Sequence, residues 1–106
     1  MDARILVPRA ATRGQTIEIR VAIRHPMETG FRFDAMGKPL PKNVIHTLTV
    51  RYNGAEIFRA EMGSGIAANP YLQFYTVAEA SGEVICDWTD DNGNRGSERA
   101  AVSVVG

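Results

Sequence analysis

The 106-residue chain contains one cysteine, two histidines and no surplus of charge. A single cysteine cannot form an internal disulfide and provides no pair of thiolates for a structural zinc site. Two histidines are too few for a His-rich metal site. Twelve basic residues match twelve acidic ones, so the chain lacks the electropositive character of nucleic-acid-binding and membrane-surface proteins. We therefore expect neither a nucleic acid nor a membrane among its partners.

Long hydrophobic runs are also missing. The apolar stretch near the start, residues 5–7, is ended by Pro8, whereas a signal peptide needs about 7–15 apolar residues and a membrane span about 20. Taken alone, this places the protein in the cytoplasm. A hydrophobic fraction of 44% and a charged fraction of 23% are typical of one globular domain, here residues 1–106.

The chain is rich in alternating apolar and polar residues. This pattern predicts half-buried strands, because successive side chains of a strand point to opposite faces. Asn53-Gly54 separates two such segments and favours a tight hairpin turn. The fold predicted is all-β, an immunoglobulin-like antiparallel β-sandwich of about seven strands. The predicted strands cover residues 4–7, 16–24, 44–52, 55–62, 71–78, 83–89 and 97–105.

One long segment, residues 25–43, shows no strand pattern and is expected to be an irregular loop. Loops of this length inside a small domain are usually functional or disordered. His25 opens the loop and is therefore the better functional candidate of the two histidines, with a plain turn-side role as the alternative. His46 lies at the start of a predicted strand, and we interpret it as a rim or packing residue.

Cys86 is the only thiol. It shares its strand phase with Val84 and Trp88, which favours a small buried hydrophobe over a reactive nucleophile. The alternative left open is a thiol-dependent sulfurtransferase that uses Cys86 with His25 or His46.

Two further patterns resemble ligand-binding loops but lack essential residues. Residues 90–94 match the first positions of a calcium loop, yet Arg95 stands where glycine is needed and Ala101 where the bidentate glutamate is needed. We interpret them as a turn. Residues 63–65, Gly-Ser-Gly, lack the Lys-Ser/Thr ending of a phosphate loop.

Three stretches are more specific: HPMETG at residues 25–30, ANPYLQFY at 68–75 and WTDDNG at 88–93. In order and spacing they closely resemble the SoxZ family, the small subunit of the SoxYZ sulfur-carrier complex of bacterial thiosulfate oxidation. The resemblance runs nearly end to end, and HPMETG and ANPYLQFY are specific as a pair.

The resemblance implies a tight heterodimer with SoxY, a cysteine of which carries the covalent sulfur intermediates, and transient contacts with other Sox proteins. It implies a subunit with no catalytic residues, no cofactor and no metal. It also implies a periplasmic location through export with a signal-bearing SoxY, in place of the cytoplasm. We predict that the first two motifs supply partner contacts, and the candidates are His25, Met27, Glu28, Asn69, Tyr71 and Phe74. The alternative left open is that Tyr71 and Phe74, which lie in opposite phases of one strand, include at least one ordinary core residue.

Overall fold

A computed structural model of the chain describes residues 3–63 and 68–106. This part of the chain folds into two sheets, ordered β1-β3-β6 and β2-β8-β7-β4-β5. It contains no helix long and apolar enough to cross a membrane. The predicted all-β sandwich is confirmed. Its strands are β1 (Ala3–Leu6), β2 (Ala10–Thr12), β3 (Thr16–Ile23), β4 (Ile45–Tyr52), β5 (Ala55–Glu61), β6 (Tyr71–Val77), β7 (Gly82–Asp90) and β8 (Arg95–Val105).

The core lies between the inner faces of the two sheets, where the alternation predicts it. On β7, Val84, Cys86 and Trp88 are buried, whereas the residues between them are half-exposed. Full burial of an aliphatic side chain such as that of Val84 is worth about 1.5–3 kcal/mol, so this face contributes strongly to holding the two sheets together. On β3, every second residue is almost completely buried: Ile17, Ile19, Val21 and Ile23.

The predicted hairpin joins β4 to β5. Asn53 and Gly54 both have positive φ, 50° and 84°, as the mirror-image turn of a two-residue hairpin requires. The Asn53 side chain then accepts a hydrogen bond from the Glu83 N–H at 3.2 Å and lies against Gly82. A Cβ at Gly82 would stand 1.6 Å from the Asn53 Oδ1, so the close approach of this turn to β7 depends on that glycine.

One strand differs from the prediction. β2 has only three residues and pairs in parallel with the end of β8, through Ala10↔Ser103 and Thr12↔Val105. Three residues are too few to show a periodic pattern, and the pairing joins segments about ninety positions apart in the chain. The sandwich therefore has eight described strands, with one parallel pair in an otherwise antiparallel arrangement.

Residues 28–43, which we call the arm, are more regular than expected. Glu28 and Asn43 exchange two backbone hydrogen bonds of 2.8 Å, and Phe33 bridges to Pro39 nearer the tip. At the turn, the Asp34 carboxylate accepts the N–H groups of Met36 and Lys38 at 2.8 and 3.0 Å. The arm is thus a narrow two-stranded ribbon closed by an Asx turn, not an irregular loop.

Candidate functional site

The three motifs of the sequence meet at one end of the sandwich, around His25. Its Nε2 lies 3.0 Å from the Asp90 Oδ2, although the two residues are 65 positions apart. The His25 N–H donates to the Asn69 Oδ1 at 3.1 Å, and the Asn69 N–H donates back to the His25 carbonyl at 2.7 Å. We call His25, Asn69 and Asp90 the clasp, since they join the end of β3, the entry to β6 and the end of β7.

His25 is a buried structural residue whose ring nitrogens are both engaged. Its relative exposure is 1%, and its Nδ1 accepts the Met27 N–H at 2.9 Å. Because Nδ1 is an acceptor, the hydrogen-bond network assigns the ring proton to Nε2, which donates it to Asp90. This arrangement orients the imidazole firmly and leaves neither nitrogen available for chemistry on a substrate.

Asp90 is a buried carboxylate surrounded by donors. Its relative exposure is 1%, and besides His25 it accepts the N–H groups of Asn92 and Asn94 at 3.0 and 2.9 Å. Burial alone would raise the pKa of Asp90, but the hydrogen bonds from His25, Asn94 and Asn92 outweigh it and hold this pKa below its usual value. The carboxylate therefore stays ionised inside the fold, and residues 90–94 form the predicted turn.

Two more of the candidates from the sequence, Met27 and Phe74, are buried in the isolated chain. Met27 has φ of 49° and a relative exposure of 3%, and its Sδ accepts the Ile45 N–H at 3.3 Å. Phe74 is 9% exposed and stacks on Phe58, with ring centroids 4.4 Å apart. Like His25, these side chains face the interior, and their role in partner contact stays a prediction.

The remaining candidates lie nearer the surface. Tyr71 is 55% exposed on β6, and Asn69 is exposed just before that strand. Glu28 is half-buried at the base of the arm, with one carboxylate oxygen 3.7 Å from the Arg32 guanidinium. For these three residues the partner-contact role stays a prediction.

Sequence reasoning missed the tip of the arm. Phe31, Phe33 and Met36 are 81%, 65% and 84% exposed, so three large apolar side chains of the ribbon face the solvent near its turn. Large apolar side chains exposed together often mark an interaction surface. The available signal was the presence of two phenylalanines and a methionine in a segment without strand alternation.

The structure does not bring Cys86 together with a histidine. Cys86 is fully buried, as its phase predicts, and burial together with the Asp87 charge raises the pKa of its thiol to about 12. Asp90, the partner of His25, lies four residues from Cys86 along β7, a distance of about 13 Å. His46 lies four residues along β4 from Val50, the residue opposite Cys86, and its Nδ1 contacts the Thr47 hydroxyl at 2.9 Å.

Metal-binding clusters of three or more His, Cys, Asp or Glu side chains are absent from residues 3–63 and 68–106. The Gly-Ser-Gly pattern that was set aside as a phosphate loop falls mostly on residues 64–65, which lie outside the described residues.

The fold is that of a known class of small β-sandwich proteins. Superoxide reductase (neelaredoxin) from Ignicoccus hospitalis superimposes with a TM-score of 0.72 at 18% identity, over 99% of this chain and 81% of that one. A mutant superoxide reductase (neelaredoxin) from Archaeoglobus fulgidus, in its reduced form, gives 0.60 at 20% identity, over 95% and 88%. The sulfur carrier protein SoxY from Chlorobium limicola f thiosulfatophilum gives 0.66 at 10% identity, over 97% and 78%. At these identities the likeness is one of fold alone.

The family is more specific than the fold. The model of the family described as sulphur oxidation protein SoxZ matches residues 4–101, so the chain belongs to the SoxZ family and has its role in sulfur oxidation. No curated protein sequence matches the chain.

Proposed function

We propose that this protein is the non-catalytic subunit of a sulfur-carrier heterodimer, and that its partner is a SoxY-type subunit that carries sulfur on its own cysteine. The observation that carries the proposal is the SoxZ family match over residues 4–101. In this role the chain supplies a rigid β-sandwich that holds the carrier subunit and presents it to the enzymes of the pathway. We also propose the periplasm as its location, reached by export together with SoxY.

The state of the only thiol supports a non-catalytic role. A sulfur carrier or sulfurtransferase needs an accessible thiolate, because the thiolate is the nucleophile. Cys86 has a relative exposure of 0% and a pKa raised to about 12 by its burial. In the proposed complex, sulfur is bound by a cysteine of SoxY, and Cys86 serves only as a core residue of this subunit.

The decisive experiment is reconstitution with SoxY from the native host. We expect one copy of each chain to form a stable complex, measured by sedimentation velocity and isothermal titration calorimetry. The complex with Cys86→Ala should load and release sulfur at the wild-type rate, whereas a SoxY variant without its carrier cysteine should not load sulfur. Absence of a complex would refute the proposed partnership, and loss of turnover in a folded, assembled Cys86→Ala complex would refute the non-catalytic role.

A further inference from the structure

The four edge strands of the sandwich differ in how well they are protected against pairing with another chain. β1 and β6 are the edges of one sheet, and β2 and β5 are the edges of the other. β1 has four residues and packs against β8, and β2 has only three. β5 is longer but carries Glu56, Arg59 and Glu61, and charged side chains discourage a second strand from docking on an edge.

Within residues 3–63 and 68–106, β6 has none of these protections. Its seven residues, YLQFYTV, include no charge, no proline and no glycine, and most are β-branched or aromatic. Such a segment has a high propensity to pair with another extended strand. Soluble proteins do not usually leave an uncharged edge of this length uncovered.

The ladder between β6 and β3 shows which backbone groups of β6 are available. At its two ends, the Ile23 N–H donates to the Pro70 carbonyl at 3.0 Å, and the Ala78 N–H donates to the Gln15 carbonyl at 2.8 Å. Hydrogen-bonded and non-hydrogen-bonded pairs alternate in an antiparallel ladder, so the even-numbered residues of β6 bond to β3. The odd-numbered residues direct their N–H and C=O groups to the open side: Tyr71, Gln73, Tyr75 and Val77.

On the outer face beside this edge, the charge of Glu18 is paired locally. Glu18 on β3 is bound by Arg20, by the Gln73 side chain at 2.6 Å and by the Tyr75 hydroxyl at 3.2 Å. The rings of Tyr71 and Tyr75 are 55% and 61% exposed. This part of the surface therefore offers aromatic contact area, and its carboxylate is paired with Arg20, which suits an uncharged partner strand.

From these observations we infer that the open edge of β6 is the docking site for an extended, uncharged strand of the carrier subunit, which would add a fourth strand to the three-stranded sheet. The inference rests on the proposed function and names the surface that serves it. Addition of a strand to an exposed edge takes its affinity from main-chain hydrogen bonds, and β6 offers such groups on four residues over about 20 Å. We take the carrier subunit as the occupant because the SoxZ family match makes it the proposed partner, and the SoxY of Chlorobium limicola f thiosulfatophilum has the same sandwich fold, which offers sheet edges of its own.

Amide hydrogen exchange, followed by NMR with and without saturating SoxY, tests the inference at single residues. In the isolated protein, the amides of Leu72, Phe74 and Thr76 should be protected, and those of Gln73 and Tyr75 should exchange rapidly. In the complex, the Gln73 and Tyr75 amides should slow by at least tenfold. If SoxY binds and these two amides stay fast, the β6 inference is refuted while the partnership stands. If SoxY does not bind, both fail; if the amides are already protected in a self-associated free protein, the occupant is a second copy and the inference is refuted.

A pair of variants at Gln73 separates the contribution of the backbone N–H to SoxY binding from that of the side chain. Gln73→Pro removes an outward N–H without breaking the ladder to β3, whereas Gln73→Ala removes the side chain and keeps the N–H. We expect Gln73→Pro to weaken SoxY binding at least tenfold relative to Gln73→Ala. Equal affinities would refute the inference. If the proline variant does not fold, Tyr75→Lys places a charge on the same edge and should weaken binding tenfold relative to Tyr75→Phe.

Discussion

Removing the His25 side chain should cost this protein a large part of its stability. His25→Ala deletes the hydrogen bond from Nε2 to the buried Asp90 carboxylate, and it leaves the Met27 N–H without the acceptor that Nδ1 provides. A hydrogen bond to a charged group is worth about 1.5–3 kcal/mol, and an orphaned buried donor costs about 1–3 kcal/mol. We therefore expect the free energy of unfolding to fall by about 3–5 kcal/mol, against a typical total of about 5–15 kcal/mol.

The assay is urea unfolding followed by the fluorescence of Trp88, the only tryptophan, which is 3% exposed and reports on the core. The chain offers its own matched control, because His46 is the only other histidine and is half-buried. His46→Ala should cost less than about 1 kcal/mol, as is usual away from the core. His25→Gln, which can still donate to Asp90 but lacks the ring acceptor, should fall between the two.

The reasoning would be refuted if His25→Ala lowered the free energy of unfolding no more than His46→Ala does. It would also fail if the loss of unfolding free energy in the double variant His25→Ala/Asp90→Ala equalled the sum of the two single losses. The effects of residues in direct contact should not be additive. In either case the contacts within the clasp would not stabilise the fold.

Three other predictions address the interior. The pKa of about 12 for Cys86, against an ordinary 9.0, predicts alkylation by iodoacetamide about 1000-fold slower in the native protein than in urea, and a difference below tenfold would contradict it. Because the pKa of Asp90 is lowered in the fold, its ionised carboxylate stabilises the folded protein fully above the unfolded pKa of about 3.9. This stabilisation is lost as the pH falls through the lower pKa that Asp90 has in the folded protein. Thermal unfolding of Asp90→Asn should therefore approach that of the wild type below about pH 4, and a constant difference down to pH 2 would contradict this. A Cβ at Gly96 would lie 2.2 Å from the Trp88 ring, whereas one at Gly63 meets no atom of the described residues within 4 Å. Gly96→Ala should thus cost about 1–3 kcal/mol in urea unfolding and Gly63→Ala almost nothing, and equal losses would refute the packing argument.

The parts of the fold that sequence reasoning predicted are those with a local physical signal. The buried face of β3 follows from strict alternation at Ile17 and Ile19, and the hairpin follows from the conformational freedom of Asn53-Gly54. β2 escaped prediction because Ala10–Thr12 is shorter than two periods of any pattern, and its partner lies at the other end of the chain. The arm escaped because its pairing is confined to a few bridges, which leave no alternation in the sequence.

The motifs of the candidate site could be found in the sequence, but their meeting at one end of the sandwich could not be predicted. Nothing local indicates that residues 25, 69 and 90 meet, since their contacts close loops of 44 and 65 residues. The burial of Met27 was hidden for a similar reason. Nothing in the neighbouring residues indicates its burial, and its left-handed backbone, with φ of 49°, is uncommon for a methionine.

The molecule is much longer than any of its strands. The molecule measures 61 × 19 × 19 Å, while its longest strand, β8, spans only about 36 Å. Its radius of gyration, 16.2 Å, exceeds the roughly 13 Å of a compact chain of this length. Phe31 and Met36 at the tip are thus outside the core, where a change of side chain leaves the core packing intact.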